Sequence, residues 1–454
     1  MINILTSWLT LGPIEQQLIS FNHHNILTGE CFSHQVAYFH QQLIESPHKK
    51  WLVSCDNSEL FAIGLCAALI AGKDIILPSS VQPANLLALN DQFDAVLSDK
   101  ELVSNKPFIP LEALADLPKL PWPKSNDWGC FTLFTSGSSG EPKAVTKTLA
   151  QLDSEVSTLE STFAKHLPQC SIISTVSHQH IYGLLFKILW PLASRRPFLS
   201  ELIEYPETLS YYSNLFSQLC LISSPAHLSR LPASLDFQPQ MRAPSLVFSS
   251  GGPLTYEAAQ GIKQCYSTLP IEVFGSTETG GIAYRRQYQE QQTWKTFAPI
   301  QIKQDENDGA LWLKSPYIEH DSWMKCNDKI QLTNDDEFIL QERLDRIVKI
   351  EEKRLSLVEM ESLLHTHPMV EVARLLIVEQ PKIQLAAVIE LSQSGKEYLD
   401  TKGKLSLNNI FKSYLLTKFE RVILPKRWRY PNQMPVNRQG KLVQSQLLAL
   451  FTHD

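Results

Sequence analysis

Short apolar runs, three to five residues long and bounded by polar or turn-forming positions, recur through residues 1–344. Trp51–Cys55, Asp74–Pro78, Cys130–Phe134, Ser171–Thr175, Leu219–Ile222, Leu246–Phe248 and Ile271–Phe274 are too short for helices and predict buried strands. Between the first two, Asn57 or Ser58 is placed to cap a helix that runs to Ala71 and stops at Gly72. Strands separated by helices predict β-α-β units and a mainly parallel sheet, which binds its ligands at the carboxyl ends of the strands. The pattern changes after Leu344. Ser356-Leu-Val-Glu359 is a capping box opening an amphipathic helix, Val372–Val378 and Leu385–Leu391 read as strands, and Leu405–Phe419 reads as a second helix. The expected organisation is α/β: a large unit over residues 1–344 and a small α+β unit over 345–454. Five prolines between Lys106 and Trp128 mark a connector inside the large unit.

Composition narrows the possibilities. Hydrophobic residues at 43% and charged residues at 19% suit a soluble globular chain with a sizeable core. A formal net charge of −6 argues against nucleic acid as the main partner. The charge is uneven: Asp345 onward holds 17 Lys and Arg against 12 Asp and Glu, leaving 24 against 35 before it. A basic small unit beside an acidic large one suits an anionic ligand or partner, or is simply a solvated face. The eight cysteines have no C-x-x-C spacing and read as buried thiols in a reducing compartment. No Lys or Arg precedes Lys49, so a secretory leader is not expected. The longest apolar run, Leu60–Gly72, is too short to span a bilayer. The expected location is cytoplasmic.

The candidate chemistry begins at Phe134-Thr-Ser-Gly-Ser-Ser-Gly-Glu-Pro-Lys143, directly after a predicted strand. Hydroxyls and glycines at this density can wrap phosphates with O–H and backbone N–H groups, and Lys143 adds a point charge. The spacing is that of neither a Walker loop, since Pro142 interrupts it, nor a G-x-S-x-G nucleophile elbow. Phe274-Gly-Ser-Thr-Glu278 and Ser249-Ser-Gly-Gly-Pro-Leu254 also follow predicted strands. His178 and His180 form an H-x-H pair, but no Cys or further His stands at zinc-ligand spacing.

Thr135-Ser-Gly-Ser-Ser-Gly-x-Pro-Lys143 resembles the signature of the adenylate-forming superfamily, which includes acyl-CoA synthetases, aryl-CoA ligases and peptide-synthetase adenylation domains. The match continues in order from the Leu65–Gly72 helix to Gly440-Lys441. The resemblance implies a ligase that uses ATP and Mg2+ to activate a small carboxylic acid, aryl or fatty, as acyl-AMP. The acyl group then passes to a phosphopantetheine thiol. Thr135, Ser136, Gly137, Ser138, Ser139, Gly140 and Lys143 would hold phosphate. His180 would stand beside the reacting carboxylate, and Gly251, Gly252 and Phe274 along the adenine. Thr277 would contact the α-phosphate and Glu278 would be the Mg2+ ligand, an arrangement of one carboxylate plus phosphate oxygens that suits this ion. Asp328 would accept the ribose hydroxyls, with Arg343 nearby. Asp345 would be the hinge of a mobile lid that delivers Lys441 to the departing pyrophosphate. Tyr182, Phe186 and Trp190 either line the acyl pocket or fill core.

Two departures from the family pattern stand out. Ala144 replaces the glycine after Pro142-Lys143. In Lys349-Ile-Glu-Glu-Lys-Arg354, Glu352 replaces the glycine of the loop that flanks pantetheine. With the basic cluster Lys426, Arg427 and Arg429 beside an exposed Trp428, this favours an acyl carrier protein over free CoA as acceptor. The alternatives are an acyl- or aryl-CoA ligase using free CoA, and a catalytically silent nucleotide-binding scaffold of the same fold.

Overall fold

Each of the seven apolar runs forms a strand, with ends within two residues of those expected. The computed structural model describes residues 3–451 except 115–116, 126, 137–141, 168, 232–242, 320–321, 351–352, 379–383 and 437–441. Lys50–Ser54, Asp74–Leu77 and Phe131–Ser136 lie parallel in a six-stranded sheet, closed on one edge by Pro142–Lys147 running antiparallel. Ser171–Ser174, Leu219–Ser223, Leu246–Ser249 and Ile271–Ser276 form the parallel centre of a thirteen-stranded sheet. Beyond Ile271–Ser276 that sheet continues as antiparallel strands out to Gln301–Gln304. The parallel order therefore holds where helices alternate with strands. It gives way where the connections shorten, as hairpin links require.

The two faces of each sheet enter different cores. Trp51 and Val53 join a core shared by both sheets, while Leu52 between them joins a smaller cluster with Ile76 and Phe93. Ile172, Cys220 and Phe248 share the central core, while Ile173, Leu221 and Val247 pack into a cluster on the opposite face. This period-two alternation makes a layered molecule with helices between and outside the sheets. The helix Ser58–Ile70 runs through the shared layer and is apolar on every side, as a helix packed all round must be. Asn57 caps it, its side-chain oxygen accepting from the amides of Glu59 and Leu60.

The C-terminal segment has its own cores. Val370–Val378, Gln384–Leu391 and Arg427–Arg429 form a three-stranded sheet. One face packs with Met360, Phe411 and Trp428, the other with Met434, Leu447 and Phe451. Ser356 accepts from the Glu359 amide and opens the helix Leu357–His365. Residues 393–415 hold two helices that meet at Gly403, whose φ of 76° no helix contains, so the helix expected from Leu405 begins close to where it was placed and a further helix precedes it. Trp428 is buried, contrary to the expectation of exposure: its indole N–H donates to the Pro425 carbonyl at 3.1 Å. Arg427 and Arg429 donate to the Phe451 and Leu450 carbonyls. Of the three expected docking cations, these two are thus already engaged in holding the end of the chain. None of the described helices is long and apolar enough to cross a membrane.

Candidate active site

Phe131–Ser136 and Pro142–Lys147 are antiparallel partners with Thr135 opposite Lys143. Gly137, Ser138, Ser139 and Gly140, between their paired ends, lie outside the described residues, as does the side chain of Ser136. Lys143 and Lys147 stand four apart on one strand and therefore on one face. Both reach the same distant residue. The Lys143 ammonium donates to the Glu278 carboxylate at 2.9 Å, and the Lys147 ammonium donates to the Glu278 main-chain oxygen at 2.7 Å.

Glu278 lies just beyond the strand Ile271–Ser276, in a short connection before Gly280–Arg285. The connection is bonded to itself: the Ser276 amide donates to Thr279 Oγ1 at 2.9 Å, and that hydroxyl donates to the Gly280 carbonyl at 2.8 Å. Gly280 holds a φ of +67°, and a Cβ there would lie 2.8 Å from both the Glu155 carboxylate and the Tyr317 ring. Burial pushes the Glu278 carboxyl up, but hydrogen bonds from Lys143, its own amide and Ser276, with the Lys143 charge, together outweigh it, and the net shift is downward. Glu278 is thus an ionised, partly exposed carboxylate aimed at the phosphate-loop strand. That donor fits a hard divalent cation shared with phosphate oxygens.

The other described candidates lie on or just beyond strands of the larger sheet. Gly251 and Gly252 are exposed after the strand Leu246–Ser249, and the neighbouring Ser250 hydroxyl donates to Val273 O at 2.8 Å. Phe274 is half-buried against Trp294 and Phe338. Asp328 and Arg343 are paired across adjacent strands, with Arg343 Nη1 3.3 Å from Asp328 Oδ1. His180 is partly exposed and precedes the turn Ile181–Gly183. His178 is a different kind of residue: Nε2 lies 3.0 Å from Cys55 O and Nδ1 2.9 Å from Ser58 Oγ. The carbonyl requires Nε2–H, so Nδ1 accepts from the hydroxyl. Burial, with the nearby Lys187 charge, pushes its pKa well down. It is a core histidine with both ring nitrogens in use. Gln179 adds bonds to Ser54 and Cys55, tying the two sheets together beside His180.

The sequence profile of the AMP-binding enzyme family matches residues 66–303, which is more than half of the chain. The chain belongs to the AMP-binding enzyme family. Among curated relatives of this AMP-binding enzyme is a protein named probable CoA ligase CCL5 of Humulus lupulus. It is 24% identical over 358 residues, covering 70% of this chain and 63% of the relative. The chain therefore spans less than two thirds of the length of the first such relatives. The fold is shared with ATP-bound MatB from Rhodopseudomonas palustris, at a TM-score of 0.79 and 14% identity over 100% of this chain and 99% of that one. It is shared also with a benzoate CoA ligase from Burkholderia xenovorans, at a TM-score of 0.74 and 16% identity over 98% and 100%.

In this AMP-binding enzyme the described candidate residues come from two sheets, joined at the Lys143–Glu278 contact. Thr135 and Lys143 come from the smaller sheet, and Gly251, Gly252, Phe274, Thr277 and Glu278 from the larger. Lys441 and Glu352 lie outside the described residues, as does the side chain of Asp345. Phe186 and Trp190 are core: both are buried, and the Trp190 indole donates to Glu160 at 2.7 Å. Tyr182 alone of the three aromatics is partly exposed, its ring tilted against that of Phe186. Buried ionisable residues that sequence reasoning missed include Lys147, Glu155 and Lys187. Lys147 and Glu155 lie beneath the Glu278 segment. Lys187 is fully buried in a π-helical stretch, Leu184–Leu189, and donates to Glu201 O at 2.9 Å. A Lys-x-x-x-Lys pair on one strand face and a lysine inside Leu-Leu-Phe-Lys-Ile-Leu were the available signals.

Proposed function

We propose that this protein activates a small carboxylic acid with ATP and transfers the acyl group to a phosphopantetheine thiol. The observation carrying this reading is the Lys143–Glu278 contact, which joins two motifs 135 residues apart at the carboxyl ends of strands in two sheets. In the first half-reaction a carboxylate oxygen attacks the α-phosphorus of ATP. The new P–O bond forms as the bond to the bridging oxygen breaks, and pyrophosphate leaves. Lys143 and the Thr135–Gly140 loop hold the phosphates, Thr277 meets the α-phosphate and His180 stands at the acid. Gly251, Gly252 and Phe274 flank the adenine, while Asp328 and Arg343 meet the ribose. Glu278 would hold Mg2+, which when bound neutralises charge building on the phosphate oxygens. In the second half-reaction the thiol attacks the acyl carbon, the thiol proton passes to solvent, and AMP leaves with the electron pair of the broken C–O bond.

Residues 345–454 are read as the lid, with Asp345 as hinge and Lys441 as its catalytic cation. The two separate C-terminal cores support this, as does Arg346, which is already bonded to Glu361 and the Leu375 carbonyl. The acid is read as aromatic or medium-chain. The packed Phe186, Trp190 and Phe248 behind Tyr182 favour the compact end of that range. The acceptor is read as an acyl carrier protein, on Glu352 in place of a glycine and on the basic balance after Asp345. Free CoA is the second reading, favoured by the CoA-ligase names of the relatives.

Pyrophosphate release with a panel of aryl and fatty acids is expected to identify at least one acid activated only with ATP and Mg2+. Silence across the panel in folded, ATP-binding protein would favour the scaffold reading. With that acid, kcat/KM is expected to be higher for a holo carrier protein than for CoA, and to fall with salt. Turnover with CoA and none with carriers would reverse the acceptor.

A further inference from the structure

Two ionisable residues outside every sequence motif are buried against the segment that carries Glu278. Lys147, at the end of Pro142–Lys147, is 2% exposed. Its ammonium donates to two main-chain oxygens, those of Glu278 and Tyr317, at 2.7 Å each. Glu155, on the helix Leu149–Phe163, is 5% exposed and accepts from the Gly281 amide at 2.7 Å. The segment is thus gripped at two points three residues apart, by a cation on one carbonyl and a carboxylate on one amide. Its internal Ser276–Thr279 bonds fix the turn on which the first grip falls.

Burying either charge is unfavourable, and a neutral side chain of similar size would fill the space at lower cost. Charge-assisted bonds to main chain in a low-dielectric setting give something a neutral filler does not: a strongly held backbone position. Burial lowers the proton affinity of Lys147 and raises that of Glu155, and the charge of each opposes the shift of the other. Lys147 also feels the Glu278 carboxylate. Lys143 and Lys147 share a strand face, one on the carboxylate of Glu278 and one on its carbonyl. The strand that follows the phosphate loop and the segment bearing Glu278 are therefore tied together at two points.

We propose that Lys147 and Glu155 are positioning residues for adenylation, clamping the main chain at the Glu278 carbonyl and the Gly281 amide so that the Glu278 carboxylate faces the phosphate loop. This rests on the reading of Glu278 given above. The test measures pyrophosphate release over ATP and Mg2+ titrations, and thermal unfolding, for Lys147→Met, Glu155→Gln, the double variant and Glu278→Gln. Lys147→Met is expected to lower kcat more than about tenfold and to raise the Mg2+ needed for half-maximal rate. Glu155→Gln should shift both in the same direction by less. The double variant removes both buried charges, so its Tm is expected to return toward wild type while its Mg2+ dependence stays altered. A double variant that recovers both would show a merely structural pair and overturn the proposal. So would wild-type Mg2+ dependence in Lys147→Met beside an altered Glu278→Gln. An unaltered Glu278→Gln would overturn the reading of Glu278 and the proposal with it. Should Lys147→Met not fold, Lys147→Arg keeps the charge and displaces the donor. It is expected to raise the Mg2+ requirement, and an unchanged requirement would overturn the clamp.

Discussion

Lys187 is the residue whose charge state most directly links pH to folding. In an unfolded chain a lysine keeps its proton to about pH 10.4. Folded, burial pushes the Lys187 ammonium down to about 7, with Glu201 only partly offsetting it. Below about pH 7 both states carry the proton and the folded state bears the full cost of burial. Between about 7 and about 10.4 the unfolded chain binds one proton more, so stability rises with pH, by at most about 1.4 kcal/mol per unit. Lys187→Met removes that dependence. The variant is expected to gain most over wild type near pH 7 and to lose that advantage towards pH 10. Urea unfolding across this range checks it, and two parallel stability curves would refute it. The lysine was visible in the sequence inside an apolar run. Its burial was not, because the Glu201 carbonyl that accepts its hydrogen bond is brought there by tertiary folding. His178 shows the same limit from the other side: the H-x-H spacing is plain, but only the fold shows Ser58 and Cys55 taking both of its nitrogens.

At the scale of elements, local chemistry was the reliable guide. Asn57 and Ser356 cap the helices their sequences predict, because a side-chain acceptor beside free amides acts over three residues. The buried strands were legible because apolar runs of that length have few other solutions. The antiparallel half of the large sheet was less so, since its strands alternate with polar residues and pair by hairpin register. The break at Gly403 falls just before the expected helix; the helix that precedes it was missed because it buries little apolar surface. Gly403 and Gly280 make a testable contrast. Both hold positive φ, but nothing lies within 4 Å of a Cβ at Gly403, whereas Glu155 and Tyr317 lie 2.8 Å from one at Gly280. Gly403→Ala is expected to cost about 1 kcal/mol from backbone strain alone and to leave the rate of acyl-AMP formation unchanged. Gly280→Ala is expected to cost at least about 2 kcal/mol, adding the clash, and to lose most of that rate. Chemical unfolding and pyrophosphate release separate the two. Equal losses would mean that the packing around Gly280 yields without consequence.

For the whole molecule, the order of motifs along the chain carried the reading, since they converge only when two sheets stack. What the order did not reveal is how the sheets are joined, by His178 and Gln179 on one side and Lys147 on the other. The lid reading makes its own prediction. Lys441→Ala is expected to abolish acyl-AMP formation and to leave transfer from preformed acyl-AMP within a few-fold of wild type, because the lysine serves only the phosphoryl-transfer state. Separate assays of the half-reactions check this, and equal loss in both would contradict it.

The Lys143–Glu278 pair makes the binding of one ligand bear on the binding of another. The two groups satisfy each other, so an anion approaching the lysine must take it from the carboxylate, and a cation approaching the carboxylate must take it from the lysine. Either ligand alone leaves one group of the pair without its counter-charge. Together they supply a new partner to each. On the proposed reading the site behaves as a coincidence detector, in which nucleotide and divalent cation each raise the other's affinity by the same factor.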